Sequence, residues 1–314
     1  MTRREFLGRA AAAAAAGCLG GCGKTEGGKY VSALNLGVCS WSFRLPLDRV
    51  AEQMKLLGLK RVHLALQPFL AGAQGGESRH GGAEGADALD KVKARLASGE
   101  WELSATMIGF PQEDYSTLET IRKTGGVLPD DAWEGNKKIV EAGAKLSAEL
   151  GCKLLTLHAG FLDHTDAAAL KKYTERVKFI VDTCGAAGVD VAFETGQETA
   201  ADLAKFLETV PGVGVNLDPA NMILYAKGNP VEAVKTLAPW IRHVHVKDAV
   251  QTKTPGEWGV EVPWGEGEVN APAFLAALEQ AGYKGCFAIE REGGDDRVGD
   301  IAKAARRLLG QAEG

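Results

Sequence analysis

The stretch DVAFE at residues 190–194 sets the pattern of the whole chain, because it is a short apolar run that ends on a carboxylate. The same arrangement recurs as GVNLD at residues 214–218 and as CFAIE at residues 286–290. Runs this short and this rich in Val, Ile, Leu and Phe are typical of strands that are buried on both faces of a parallel sheet. A carboxylate at the C-terminal end of each run indicates strands that lead into a functional site.

Eight such runs alternate along the chain with longer segments of helical periodicity. In Thr165–Ala186, for example, apolar residues recur every three or four positions. Strands that alternate with helices predict a parallel sheet with helical crossovers. The predicted strands are Leu34–Ser40, Arg61–Leu66, Glu102–Ile108, Lys153–His158, Asp190–Glu194, Gly214–Asp218, Ile241–Lys247 and Cys286–Glu290, and the other predicted helices are Val231–Leu237, Ala271–Ala281 and Val298–Leu309.

Eight β/α units predict an α/β fold with a single (β/α)8 TIM barrel, and the length of 314 residues fits one barrel. The competing architecture is an open doubly wound sheet, which favours a glycine-rich phosphate loop after its first strand. Residues 39–42 read CSWS at that point, so the closed barrel is preferred. We place the TIM barrel domain at residues 31–314.

The composition excludes several other classes of protein. A hydrophobic fraction of 45% and a charged fraction of 25% are ordinary globular values and argue against a disordered chain. A net charge of −5 without any Lys/Arg tract argues against a nucleic-acid partner. The 6 cysteines show no spacing typical of a structural zinc site.

Residues 1–30 resemble an export signal followed by a short tether. Thr2–Leu7 (TRREFL) resembles a twin-arginine motif, the apolar run Ala10–Ala16 follows, and Leu19–Cys22 (LGGC) resembles a bacterial lipobox. We expect an exported periplasmic or cell-envelope lipoprotein that touches the membrane only through a lipid anchor on Cys22. Cys18 is a weaker acceptor, and cleavage without lipid attachment is the alternative.

The segment GAQGGESRHGGAEG at residues 72–85 is poor in large apolar side chains and follows the second predicted strand. One interpretation is a solvated loop. The other is a lid over the barrel mouth, with Arg79 and His80 able to turn inward.

The most informative pattern is positional, because four ligand-type residues end four consecutive predicted strands. These residues are Glu194, Asp218, His245 and Glu290. In a barrel, the C-terminal strand ends converge on one mouth. Taken singly, each residue could be a helix cap, an ion-paired carboxylate or a hydrogen-bonded core histidine. Together the four predict a single metal site.

The ligand chemistry narrows the choice of ion. Three carboxylates and one imidazole are mostly hard donors, which favour Mn²⁺, with Mg²⁺, Co²⁺ and Zn²⁺ as alternatives. Asn221 and Asp248 each lie three residues after a ligand and are candidates for orienting the ligands from behind. Both could instead be turn residues.

Four further residues near predicted strand ends are candidates for substrate binding. His158 and Lys247 could bind hydroxyl or anionic oxygens, and Trp41 and Trp264 could stack on a sugar face. The alternatives are a structural histidine, a surface lysine and aromatic packing. The sequence shows no phosphate-binding cradle, and an exported enzyme is expected to meet free, glycosidic or oxidised sugars.

Five motifs together give the chain a family resemblance. They are FETG at 193–196, NLDPAN at 216–221, HVHVKD at 243–248, VPWGEGEVN at 262–270 and FAIERE at 287–292. With these motifs the chain resembles the sugar phosphate isomerase/epimerase superfamily of xylose isomerase-like TIM barrels, from about residue 34 to 309. That scaffold hosts many chemistries, so the resemblance does not identify a substrate.

The resemblance implies roles for the four predicted ligands. Glu194, Asp218, His245 and Glu290 would bind the metal ion, and the two glutamates would also act as acid and base. In ketose epimerases of this kind, one glutamate removes the proton next to the carbonyl. The other delivers a proton to the opposite face of a metal-stabilised enediolate.

The chain departs from its relatives at one position that matters. Residue 221 is Asn, where both the ketose epimerases and the DNA-repair endonucleases of the superfamily carry His. With only 6 histidines in the chain, a trinuclear, DNA-cleaving site is excluded.

Three functions follow from these expectations. The first is a metal-dependent sugar isomerase or epimerase that acts on a small carbohydrate by abstracting the proton next to a carbonyl. The second is a lyase or dehydratase on 3-keto-glycosides or keto sugars, in which the same first step ends in elimination. The third is a sugar-binding lipoprotein without turnover.

Overall fold

The computed structural model describes residues 35–70 and 87–311. The leader with Cys22 and the segment with Arg79 and His80 lie outside the described residues. Within them, eight parallel strands close into a barrel with helices between them, which confirms the predicted (β/α)8 architecture.

The eight barrel strands follow the predicted positions to within about two residues at either end, and two further short strands, Asp248–Val250 and Val260–Val262, were not predicted. They are β1 (Asn35–Cys39), β2 (Arg61–Ala65), β3 (Glu102–Met107), β4 (Leu154–Leu157), β5 (Asp190–Glu194), β6 (Val213–Leu217), β7 (Ile241–Val246), β8 (Asp248–Val250), β9 (Val260–Val262) and β10 (Cys286–Ile289). The barrel order is β1-β10-β7-β6-β5-β4-β3-β2, while β8 and β9 form a separate antiparallel pair.

The described helices fill the connections between barrel strands. They are α1 (Leu47–Leu56), α2 (Ala88–Ala97), α3 (Leu118–Thr124), α4 (Trp133–Glu149), α5 (Ala167–Ala186), α6 (Ala200–Leu207), α7 (Pro219–Leu224), α8 (Pro230–Leu237), α9 (Ala271–Gln280) and α10 (Arg297–Leu308), and a 3₁₀ turn covers Gln67–Phe69. Local capping fixes several starts. Asp166 caps α5 by accepting hydrogen bonds from the backbone of Ala168 and Ala169. No described helix combines the length and hydropathy that a membrane span requires.

The apolar residues form two clusters with different positions. The large cluster fills the layer between the sheet and the surrounding helices. The small cluster contains Cys39, Trp41, Ala65, Met107 and Ala288, which sit on or just after barrel strands. The interior of the barrel is therefore a packed core.

Parallel pairing places the predicted ligands side by side at the C-terminal ends of the strands. Glu194 is the register partner of Asn216 on β6, and His245 is the register partner of Ala288 on β10. Asp218 and Glu290 each follow the last residue of a strand. All four side chains are buried at that end of the barrel.

Asp248 holds the connection that follows the β8–β9 hairpin. Its carboxylate accepts hydrogen bonds from the backbone N–H groups of Ala249, Gly265, Gly267 and Val269, at 2.9 to 3.1 Å. The structure thus corrects the expectation that Asp248 orients a metal ligand. The bonds from Gly265, Gly267 and Val269 place this carboxylate against the loop at residues 263–269.

Replacing this carboxylate should destabilise the fold. We expect Asp248→Ala to lower the free energy of unfolding by about 2–4 kcal/mol, because buried N–H groups lose their acceptor. Asp248→Asn keeps one acceptor oxygen, so its free energy of unfolding should lie between those of the wild type and Asp248→Ala. Urea denaturation measures both, with exposed Glu257→Ala of the same hairpin as the control. Equal stability of Asp248→Ala and the control would contradict this role.

Candidate metal centre

The four predicted ligands converge on one buried point. One donor atom from each of Glu194, Asp218, His245 and Glu290 lies within 4.8 Å of the others. His245 Nδ1 is 3.5 Å from Glu194 Oε1, 3.6 Å from Asp218 Oδ2 and 3.1 Å from Glu290 Oε2. The sequence expectation that strands β5, β6, β7 and β10 deliver these groups to one place agrees with this geometry.

Three of these donor atoms lack a hydrogen-bond partner in the part of the chain that the structure describes. They are Asp218 Oδ2, His245 Nδ1 and Glu290 Oε2, all of them buried. The second oxygen of each carboxylate is held: Asp218 Oδ1 accepts from the backbone of Asn221, and Glu290 Oε1 accepts from Trp41 Nε1. Asp218 and Glu290 therefore each have one oxygen held by a hydrogen bond and one that faces the shared point.

The donor set fits a divalent cation. Ligands about 2.0–2.2 Å from an ion are separated from one another by roughly 3–4 Å, which matches the spacing around His245 Nδ1. Buried polar atoms without partners are costly unless an ion or ligand satisfies them. The cluster is thus a candidate metal-binding site, and three carboxylates with one imidazole favour hard ions.

The other ring nitrogen of His245, Nε2, also has a hydrogen-bond partner. His245 Nε2 is 3.0 Å from His63 Nδ1, and His63 Nε2 is 2.9 Å from Thr156 Oγ1. Thr156 Oγ1 in turn donates to the carbonyl of Thr106. If His245 offers Nδ1 to an ion, its Nε2–H donates to His63, whose own Nε2–H donates to the threonine. This chain fixes the ring of His245 in the ligating tautomer.

Two asparagines position Glu194. Asn221 Nδ2 donates to Glu194 Oε1 at 2.9 Å, and Asn216 Nδ2 donates to Glu194 Oε2 at 3.3 Å. Asn216 Oδ1 accepts from His243 Nδ1 at 2.9 Å. Asn221 therefore occupies the orienting position that the sequence suggested for it.

Lys247 lies inside the carboxylate cluster. Its Nζ is 2.9 Å from Glu290 Oε2, 2.7 Å from Glu292 Oε2 and 3.5 Å from Asp218 Oδ2, and the side chain is 1% exposed. The alternative of a surface lysine does not hold. Its position beside the ligands makes it a compensating charge for the carboxylates.

Burial and neighbouring charges shift the ionisation of these groups in opposite directions. Burial raises the pKa of Glu194 to about 7 and also raises the pKa of Asp218. Burial would raise the pKa of Glu290 too, but Lys247 and His245 hold it well below its usual range. The two glutamates therefore differ electrostatically.

The remaining substrate-binding candidates divide into two groups. His158 Nε2 lies 3.5 Å from Glu194 Oε1, and Trp41 reaches Glu290 while its ring meets the edge of His63. Trp264 is placed elsewhere: its ring packs against Phe274 of α9. Among the described residues, no hydrogen bond, ion pair or ring contact joins Trp264 to the four ligands, so aromatic packing describes it better than sugar stacking.

Sequence reasoning gave neither Asn216 nor His63 a specific partner. The alternation of a strand could have found the contribution of Asn216. Asn216 and Asp218 are two residues apart and share a face, as do His243, His245 and Lys247. A polar residue two positions before a ligand therefore points into the same interior.

Known proteins share this fold. The profile of the xylose isomerase-like TIM barrel family matches residues 71–311, more than half of the chain. The chain is similar to the "Putative L-ribulose-5-phosphate 3-epimerase SgbU" of Haemophilus influenzae, at 29% identity over 189 residues. That match covers 56% of this chain and 65% of the relative, just under two thirds of its length.

Solved structures agree. A crystal structure of a xylose isomerase domain protein from Planctomyces limnophilus has a TM-score of 0.75 and 27% identity, covering 88% of this chain and 96% of the other. A xylose isomerase-like TIM barrel protein from Mycobacterium smegmatis, in complex with magnesium, shares the fold with a TM-score of 0.63 at 16% identity. Its match covers 89% of this chain and 97% of that one.

Metal binding should weaken at acidic pH. Because the pKa of Glu194 is raised to about 7 without an ion, the ion must displace a proton below that pH. We expect the affinity for Mn²⁺ to fall by at least about tenfold for each pH unit below 7. Calorimetry between pH 6 and 8 measures this, and Glu194→Gln should flatten the slope. Constant affinity over that range would contradict the assignment.

His63 should matter for metal affinity although it does not ligate the ion. His63→Phe keeps a ring but removes the acceptor of His245 Nε2–H, so we expect affinity for Mn²⁺ to fall by about 10- to 100-fold. The control is His164→Phe, which changes a histidine bonded to the carbonyl of Asp202. Unchanged affinity in a folded His63→Phe protein would show that the relay does not hold His245.

Proposed function

Because the chain belongs to the xylose isomerase-like TIM barrel family, we propose that it is a metal-dependent sugar epimerase or isomerase that works by proton transfer next to a carbonyl. At the level of the family, it is a sugar epimerase/isomerase-like TIM barrel. The reaction class and the acting residues are our proposal. The observation that carries it is the convergence of two buried glutamates with Asp218 and His245 on one ion-sized point.

Four side chains would hold the ion: Glu194, Asp218, His245 and Glu290. When bound, the ion supplies a Lewis acid that stabilises the negative charge developing on the substrate oxygens. Mn²⁺ is the favoured ion on the donor chemistry, with Mg²⁺, Co²⁺ and Zn²⁺ as alternatives.

The two glutamates are suited to opposite halves of a proton transfer. Glu290 is kept ionised by Lys247 at 2.9 Å and is available to accept a proton. Glu194 is held by the neutral side chains of Asn216 and Asn221, so a proton on it is less opposed by a neighbouring cation, and it is suited to deliver one. Pairs of carboxylates whose surroundings separate their pKa values are typical of acid/base catalysis. In the reverse reaction the two exchange roles.

Neighbouring residues keep both glutamates in place during the transfer. Trp41 donates to Glu290 Oε1, and Asn221 donates to Glu194 Oε1. His158, 3.5 Å from Glu194, stands where it can receive a substrate hydroxyl or pass a proton. With burial at 4% exposure for each glutamate, bulk water competes little for the proton.

The substrate in this proposal is a small keto sugar. The relative from Haemophilus influenzae is named for action on a ribulose phosphate, which belongs to the same chemical class. The expected leader with Cys22 would place the activity in the periplasm or at the cell envelope.

Solvent exchange tests the proposal. Incubated with keto sugars in D₂O, the metal-loaded protein should place deuterium on the carbon next to the carbonyl, seen by NMR, while the carbon skeleton is retained. Glu194→Gln and Glu290→Gln should lower the exchange rate at least 100-fold, in the range of lost acid/base catalysis. Exposed Glu208→Gln is the control.

Other outcomes separate the rival functions. Release of an aglycone together with an unsaturated sugar would identify a lyase and overturn the epimerase proposal. Tight sugar binding without exchange or turnover would identify a binding protein. Full activity in Glu194→Gln would refute the acid/base roles in either case.

A further inference from the structure

Arg297 is a buried cation that has no partner in residues 35–70 and 87–311. Its side chain begins α10, the residue is 8% exposed, and Nε has no hydrogen bond. No hydrogen bond or ion pair to its guanidinium is found among the described residues. A buried guanidinium normally sits on a carboxylate, since desolvating an unpaired charge is unfavourable.

The neighbouring Arg291 shows what a structural arginine looks like in the same place. It is 6% exposed, its Nη1 is 2.7 Å from Glu261 Oε1, and its Nε is 2.9 Å from Asp300 Oδ2. Glu261 also accepts from the backbone of Glu292 and Gly293. These carboxylates are therefore engaged elsewhere, and they leave Arg297 as the arginine that a ligand would have to satisfy.

A second cation, the exposed Arg44, is near enough for its charge to act on Arg297. Arg44 lies in the β1–α1 loop with a φ of 54°, a left-handed conformation that is unfavourable for arginine. Burial and the charge of Arg44 lower the pKa of Arg297 to about 10. The loops are joined by a hydrogen bond from the backbone of Arg291 to Ser42 Oγ, at 3.0 Å.

The pair stands next to the metal centre. Glu292 is close enough to Arg297 to act on its charge, and Glu292 Oε2 is 2.7 Å from Lys247 Nζ. Lys247 is in turn 2.9 Å from Glu290. Only the Glu292 carboxylate and the Lys247 ammonium thus lie between Arg297 and the predicted ligand Glu290. A sugar bound at the metal centre could place an acidic group at Arg297.

We propose that Arg297, together with Arg44, forms an oxyanion subsite that binds the phosphate or carboxylate group of an acidic keto sugar. A guanidinium offers paired N–H donors that match the oxygens of either group. The subsite would bind part of the substrate of the proposed epimerase, and in that respect it rests on the proposed function.

The surrounding charges define where such a group can bind. Asp296 caps the start of α10 by accepting from the backbone of Gly299, so the helix terminus is already used. Glu261 is engaged with Arg291, and Glu292 with Lys247. Arg291 and Lys247 are likewise paired with carboxylates, which leaves the Arg297 guanidinium as the cation available to an anion. Binding therefore depends on Arg297.

Anion binding to the metal-loaded protein tests the subsite without requiring turnover. Inorganic phosphate and glucuronate serve as probes for the two groups, in calorimetry and in thermal melts. Arg297→Gln should weaken binding of at least one probe by about 10- to 100-fold, as for a lost charge-assisted hydrogen bond. Arg306→Gln, at the far end of α10, is the control and should bind like the wild type.

Thermal stability separates a ligand-binding arginine from a structural one. Without an anion, Arg297→Gln should melt no lower than the wild type, because it removes an unpaired buried charge. Arg291→Gln, which loses two ion pairs, should melt lower. A marked drop in the melting temperature of Arg297→Gln would overturn the subsite. It would also be overturned if neither probe bound, or if both probes bound Arg297→Gln as tightly as the wild type.

Kinetics tell the two proposals apart. With an active enzyme, Arg297→Gln should raise KM for a phosphorylated or carboxylated ketose by about 10- to 100-fold and leave KM for a neutral ketose unchanged. An equal change for both kinds of sugar would refute the subsite while the epimerase stands. Arg297-dependent anion binding in a protein that exchanges no proton would refute the epimerase while the subsite stands.

Discussion

Three carboxylates buried at the same end of the barrel repel one another, and the surrounding side chains have to offset that repulsion. Glu194, Asp218 and Glu290 lie around one point with exposures of 4%, 0% and 4%, where water screens their charges poorly. Such an arrangement is stable only if cations are placed among them. His245 and Lys247 are those cations in the chain itself, and both come from strand β7 or the residue that follows it.

The rest of the mouth of the barrel supports this arrangement. Three of the four ligands are held from behind by a residue of another strand or loop: Glu290 by Trp41, His245 by His63, and Glu194 by Asn216. Because these contacts join strands that are distant in sequence, the ligand geometry and the closure of the barrel stabilise each other. A preorganised site of this kind needs little rearrangement when an ion or substrate arrives.

Much of the fold and the ligand set follows from the sequence, because both rest on strand periodicity. Apolar runs gave the barrel strands, and parallel strands necessarily bring their C-terminal residues together. The failures came from residues beyond strand ends. Asp248 and Trp264 lie in or after the β8–β9 hairpin, whose direction depends on tertiary hydrogen bonds that no local pattern encodes. The deep burial of Lys247 was equally hidden, since its partners lie on β10 and β6.

The charges of the centre account for why the protein carries a lysine where an ion is expected. Three carboxylates and one ammonium leave two negative charges, which a divalent ion neutralises if His245 is neutral. Without the ion, burial raises the pKa of Glu194 to about 7, and the surrounding carboxylates raise the pKa of His245 against the effect of burial. Protons then replace part of the missing charge. Lys247, fixed beside Glu290, lets the net charge of the site approach zero both with and without the ion. It also keeps Glu290 ionised, while Glu194 can exchange its proton.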